Sequence, residues 1–130
     1  MPADLARAVE IFAAVNFAVI GLSHLLQPRV WVDFFVRLRE LGHVGVFLNG
    51  FLSLIFGSII VAFHDIWLWP PIILTLIGWA QILKAFGSFC LPSFAMRSLN
   101  RVSPERVWEF RVAGVVMLVL AAWLVVRLVG

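Results

Sequence analysis

The apolar positions of this chain gather into four long blocks, and most polar residues fall in the gaps between them. The blocks run from Leu5 to Leu26, His43 to Phe63, Ile66 to Leu91 and Val107 to Val129. Each supplies the roughly 20 helical residues needed to cross about 30 Å of hydrocarbon. The first carries Arg7 and Glu10 within its first two turns, so its apolar core starts near Ile11. The expected fold is all-α: a polytopic four-helix membrane bundle, a single domain over residues 1–130 with spans at about 5–26, 43–63, 66–91 and 107–129.

The gaps are patterned too. In PRVWVDFFVRLREL, Arg29, Asp33, Arg37 and Glu40 recur at helical spacing, while Val30, Trp31, Phe34, Phe35, Leu38 and Leu41 fill the other face. That pattern predicts an amphipathic helix lying in the membrane interface between the first and second spans. Pro28 ends the first span before it, and Gly42 permits the turn into the second. In the other basic gap, Ser103-Pro104-Glu105 combines an N-cap residue, a proline suited to a first helical turn and an acid for the positive helix end. Laying Pro28 on Pro92 also lays Gly50 on Gly114. This register predicts a two-hairpin internal repeat, packed about an axis along the membrane normal.

Composition agrees with the pattern. Of 130 residues 63% are hydrophobic, and the mean hydropathy is +1.05, well above the soluble globular range. Basic residues concentrate in two gaps, with Arg29, Arg37 and Arg39 in one and Arg97, Arg101, Arg106 and Arg111 in or beside the other, against Arg7 and Arg127 on the opposite face. Basic loops stay cytoplasmic, so both termini and the His64-Asp65 turn are expected on the non-cytoplasmic side. The net charge of +3 then points to anionic lipid headgroups as partners rather than nucleic acid, because it is divided between two membrane-proximal loops. The acidic residues flanking Arg7 are unlike a cleavable signal, so the first block is expected to remain as a span. The lone Cys90 excludes an internal disulfide and a Cys-x-x-Cys motif.

Small and polar positions indicate which faces meet. The second span offers Gly42, Gly45, Asn49, Ser53 and Gly57; the third offers Gly78, Gln81, Lys84, Ala85 and Ser88; the first offers Ala13, Asn16 and His24. Small residues let helices approach, and amides bond across them. At 1.5 Å per residue, Lys84 and Asn49 both lie about 10 Å below the cytoplasmic surface. His24, Asn49, Gln81, Lys84 and Ser88 are therefore expected to converge there. A lysine so placed either snorkels to the headgroups or lines a polar pocket. With Asp65 at the other end of its helix, a dedicated salt bridge for Lys84 is not expected, which leaves a lipid headgroup, a small anion, a quinone-like carbonyl or another subunit as its anionic or polar partner.

Among catalytic and cofactor patterns little is visible. There is no Gly-rich phosphate loop, no pair of intramembrane carboxylates and no Ser-His-acid set of evident geometry, so an enzyme is not expected. No cofactor or metal site is assigned. Only His24 and His43 lie on the same side and can share a haem iron. Most of the six tryptophans fall near span boundaries, where amphipathic rings favour the interface. Trp79 lies mid-span beside Gly78, against a neighbouring helix or a bound hydrophobic ligand.

His64-Asp65-Ile66-Trp67, followed by Thr75-Leu76-Ile77-Gly78-Trp79 and Lys84, resembles a family of small, uncharacterised four-helix bacterial membrane proteins with a His-Asn-x-Trp turn, then Thr-x-x-Gly-Trp and a lysine. More loosely the chain resembles DoxX-like membrane proteins. Asp65 stands where the pattern has asparagine, which makes the turn more acidic. The resemblance implies a bacterial inner membrane and brings no activity with it. The leading expectation is a non-catalytic subunit, joined to other membrane proteins or to itself. The alternatives are a small transporter or channel for an anion or amphiphile, sited at Lys84, Gln81 and Asn49, and a haem- or quinone-binding redox protein.

Overall fold

The computed structural model describes residues 2–130, and over them the chain is all-α. Helix α1 spans Pro2–Leu26, α2 Pro28–Glu40, α3 His43–Phe63, α4 Ile72–Cys90, α5 Pro92–Arg101 and α6 Val107–Val129, with a single 3-10 turn at Pro104–Arg106. Four of these, α1, α3, α4 and α6, are long and apolar enough to cross a membrane. Their outward faces carry large apolar side chains such as Val19, Leu83, Val119 and Val126, all exposed, as lipid-facing surfaces require. By these features the chain is a multi-pass membrane protein.

The third span starts later than the apolar block suggests. Residues 64–71 form a loop, and α4 begins only at Ile72. Pro70 and Pro71 offer no N–H and disfavour helical backbone in the residue before them, so a helix cannot run through Trp69. Thr75 organises the loop from the first turn of α4. Its Oγ1 lies 2.9 Å from the carbonyl of His64 and 2.8 Å from that of Ile66.

Both short gaps are helical. α2 buries Pro28, Val32 and Leu38 while Arg29, Asp33, Arg37 and Glu40 stay exposed. The stretch after Pro92, which the pattern marks only as a basic surface segment, forms α5 and buries Leu99. Ser103 stands in extended backbone before the 3-10 turn, but its hydroxyl makes no capping bond. Leu38, Val46 and Leu99 form a small apolar cluster that seats α2 and α5 together on one end of the bundle. Arg39 fastens them, donating to the carbonyls of Leu99 at 3.3 Å and Val102 at 2.9 Å.

Packing departs from two self-contained hairpins. α1 lies along α6 and α3 lies along α4, whereas α1 and α3 touch only lightly. Glycines explain the choice. A Cβ on Gly114 would stand 2.7 Å from the carbonyl oxygen of Gly21, and one on Gly57 would stand 2.8 Å from the carbonyl oxygen of Gly78, so these backbones are closer than any side chain permits. Between α1 and α3 stand Phe12, Phe17 and Phe56 in ring contact, which hold the helices apart. On the register of Pro28 with Pro92, α1 corresponds to α4 and α3 to α6, so each unit's first span packs on the other unit's second.

The two pairs meet tightly at the end bearing the 64–71 loop. Val9, Ala13, Ala14, Phe17, Ile60, Leu74, Ala121 and Leu124 form the main core there. Toward the end covered by α2 and α5 the pairs diverge.

Candidate functional site: a cavity between the helix pairs

Where the pairs diverge they leave a half-open cavity of about 810 Å³. This falls within the roughly 300–1,000 Å³ typical of small-molecule sites. Its deep walls are apolar, built from Phe12, Phe17, Ile20, Phe56, Ile59 and Met117. Asn16, Asn49, Ser53 and Gln81 interrupt them with polar groups. Asn16 donates to the Phe12 carbonyl of its own helix at 2.8 Å, leaving its side-chain oxygen for other partners.

The end near α2 and α5 is charged. Lys84, Arg101, Arg106 and Glu109 all line the cavity there. Glu109 accepts from Arg101 at 3.0 Å and lies 3.5 Å from Arg106. Among the described residues no carboxylate pairs with Lys84. Three cations against one carboxylate leave this end positive; Lys84, Arg101 and Arg106 are themselves exposed at its rim.

His24 marks the boundary between the two regions. Its ring stacks on Trp31, with centroids 4.2 Å apart, and lies 5.7 Å from Phe110. Because a carbonyl only accepts, the 2.8 Å contact to Ile20 O makes Nδ1 the protonated nitrogen and leaves Nε2 as an acceptor. Trp31 Nε1 donates to Ser23 Oγ at 2.8 Å, which fixes α2 against α1. An aromatic wall over His24, Trp31, Phe35 and Phe110 thus flanks the basic end.

Of the residues the sequence singles out, the structure brings His24, Asn49, Gln81 and Lys84 to this one cavity. Ser88 turns aside: its hydroxyl donates to Lys84 O at 3.2 Å, and it packs beside Gly50 in the α3–α4 seam. Trp79 is not on the cavity wall either and is 46% exposed. It sits two residues, about 200° of helix, from both Ile77 and Gln81, which do line the cavity, and therefore faces outward. His43 is exposed at the start of α3, so His24 is the only histidine on the wall. Among the described residues no three His, Cys, Asp or Glu side chains gather as a metal site.

The turn residues divide. Asp65 is exposed and accepts from Trp67 Nε1, closing the turn on itself. His64 is fully buried, with Nε2 2.9 Å from Glu10 Oε2 and Nδ1 3.0 Å from Thr75 Oγ1. Arg127 reaches both oxygens of Glu10 at 3.4 Å. Neither Glu10 nor Arg127 stands out in the pattern, where each reads as a helix-end charge. The usable signal was their shared depth: the topology places Glu10, His64 and Arg127 at one membrane face.

Neither a family model, a curated protein nor a solved structure matches this chain.

Proposed function

We propose that this protein binds an anionic amphiphile within the membrane, its tail in the apolar cavity and its head at Lys84, Arg101 and Arg106, as a non-catalytic carrier or presenter of that molecule. The observation that carries the reading is the polarity of the cavity, aromatic and aliphatic at depth and cationic where α2 and α5 cover it. Transfer of an acyl tail from bilayer to protein gains little, because lipid tails are as apolar as the wall. Selectivity then resides in the head, where an unpaired lysine and two arginines sharing one glutamate favour negative charge.

The basic end faces the cytoplasm on the positive-inside argument, in a bacterial inner membrane on the strength of the resemblance, with both termini on the far side. α2 and α5, amphipathic and arginine-bearing, lie along the anionic headgroups. Cargo in the cytoplasmic leaflet would meet the cavity at its cationic end. This reading stands ahead of the interaction-subunit expectation because a ligand-sized space needs an occupant, whereas the exposed apolar surface is accounted for by lipid.

The test is competition binding in detergent with single-chain amphiphiles of one tail length bearing a carboxylate or phosphate, a hydroxyl or an amine. The expected order is anion first, then neutral, then cation. Equal binding of all three overturns the reading.

A further inference from the structure

At the end opposite the cavity's basic residues, Glu10, His64, Thr75 and Arg127 meet with almost no exposure of the first three. They come from α1, the loop after α3, α4 and α6, and so from both helix pairs. We propose that the Glu10–His64 contact is a proton-binding site whose occupancy decides how tightly the 64–71 loop is latched between α1 and α4 at this end.

Thr75 Oγ1 is met by four groups: the N–H of Ile66 at 3.3 Å, the carbonyls of His64 and Ile66 at 2.9 and 2.8 Å, and His64 Nδ1 at 3.0 Å. A hydroxyl has one proton to give and two lone pairs to receive. It gives its proton to one of the loop carbonyls and accepts from Ile66, and the lone pair that remains faces Nδ1. Nδ1 therefore carries a proton. A neutral imidazole has no second one, so Nε2 and Glu10 Oε2, 2.9 Å apart, form a hydrogen bond only when a further proton lies between them.

Removing that proton sets two lone pairs against each other in a site where Glu10 is 5% and His64 0% exposed. Unpaired polar atoms there have no water to turn to, which is the costly case. The other arrangement moves the imidazole proton to Nε2 and turns the Thr75 hydroxyl toward Nδ1, away from both carbonyls of the loop. The first route frees α1 from the 64–71 loop; the second keeps that bond and gives up the one from Thr75 on α4 to the loop carbonyls, so only with the further proton do both hold together.

The surrounding charges are few. Arg127 on α6 faces Glu10 and offsets its charge. Arg7 on α1 donates instead to the Leu128 carbonyl at 3.3 Å. Asp65 points outward and holds Trp67. From α3 and α4 the cluster receives no charge beyond His64, only the Thr75 hydroxyl. Histidine is the side-chain type whose charge ordinarily changes near neutral pH. The inference stands independently of what fills the cavity, but its consequence bears on it, because the latch closes the end that the cavity does not reach.

The experiment is hydrogen–deuterium exchange on the full chain in lipid nanodiscs from about pH 5 to 8, the range of ordinary histidine titration, with rates normalised to the intrinsic chemical rate. Peptides covering 61–75 are expected to lose protection as pH rises, approaching tenfold per pH unit where one linked proton is released. Glu10→Gln is expected to flatten the profile, because an amide bonds Nε2 as donor or acceptor without taking up a proton. If that variant does not assemble, His64→Gln is read in its place, with the same flat profile. Asp65→Asn is expected to follow the unsubstituted protein. A flat profile in the unsubstituted protein, an unchanged slope in Glu10→Gln, or loss of the slope in Asp65→Asn each overturns the proposal.

Discussion

Replacing Gly57 by alanine tests whether backbone proximity fixes the α3–α4 pair. The new Cβ would stand 2.8 Å from Gly78 O, 2.9 Å from Gln81 Cβ and 3.0 Å from Ile82 N. Two of these three are backbone atoms in a helix and cannot rotate away. Ordinary contact between such atoms is about 3.5–4.0 Å, so the helices must part by roughly half an ångström or more. Overpacking of this kind costs about 1–3 kcal/mol, partly offset by the ~0.8–1 kcal/mol by which alanine is the better helix former. A net loss of up to about 2 kcal/mol is expected. Gly87 in the partner helix α4 is the matched control, because a Cβ there meets nothing within 4 Å. Gly87→Ala is therefore expected to gain up to about 1 kcal/mol from propensity alone. Reversible unfolding in mixed micelles, followed by circular dichroism, measures both variants. Equal shifts, or a Gly57→Ala protein more stable than the original, would refute the reasoning.

Other expectations follow from the same geometry. Lys84→Met is expected to weaken binding of an anionic amphiphile by about 10–30-fold, or ~1.4–2 kcal/mol, a partly solvated fraction of the roughly 4 kcal/mol that close unit charges exchange at an effective dielectric near 20; a matched neutral amphiphile in the same titration is expected to be unaffected. Arg39→Leu removes the donor shared by the Leu99 and Val102 carbonyls and is expected to speed proteolysis at 99–103 while the thermal transition of the four spans changes little. Ser23→Ala deprives Trp31 of its hydrogen bond and is expected to cost about 1 kcal/mol and shift the indole fluorescence.

The spans were legible because hydropathy reports length and burial in lipid directly, and three of the four blocks coincide closely with helices in the structure. The start of α4 was misplaced because hydropathy does not distinguish a loop rich in tryptophan and leucine from a helix; Pro70 and Pro71 held the information. Placing His24, Asn49, Gln81 and Lys84 together needed only helical depth. Which spans pair was not legible, since every span carries small residues and only the match of Gly21 to Gly114 and Gly57 to Gly78 decides it. Glu10 and Arg127 were hidden by their position, because a charge in the first or last two turns of a span is ordinarily assigned to water. Trp79 was drawn toward a neighbouring helix or a ligand by its depth, whereas its phase along α4 sends it outward.

The central claim is that the cavity holds an anionic amphiphile, and native mass spectrometry of protein gently extracted from its own membrane addresses it most directly. Ser53 is buried on the cavity wall, so Ser53→Phe fills the space while leaving the basic end in place. The account predicts a defined bound mass, identified on extraction as an amphiphile with an acidic head, in the unsubstituted protein and its loss in Ser53→Phe. Recovery of the protein with no bound molecule, or of the same molecule at the same occupancy in Ser53→Phe, would contradict it.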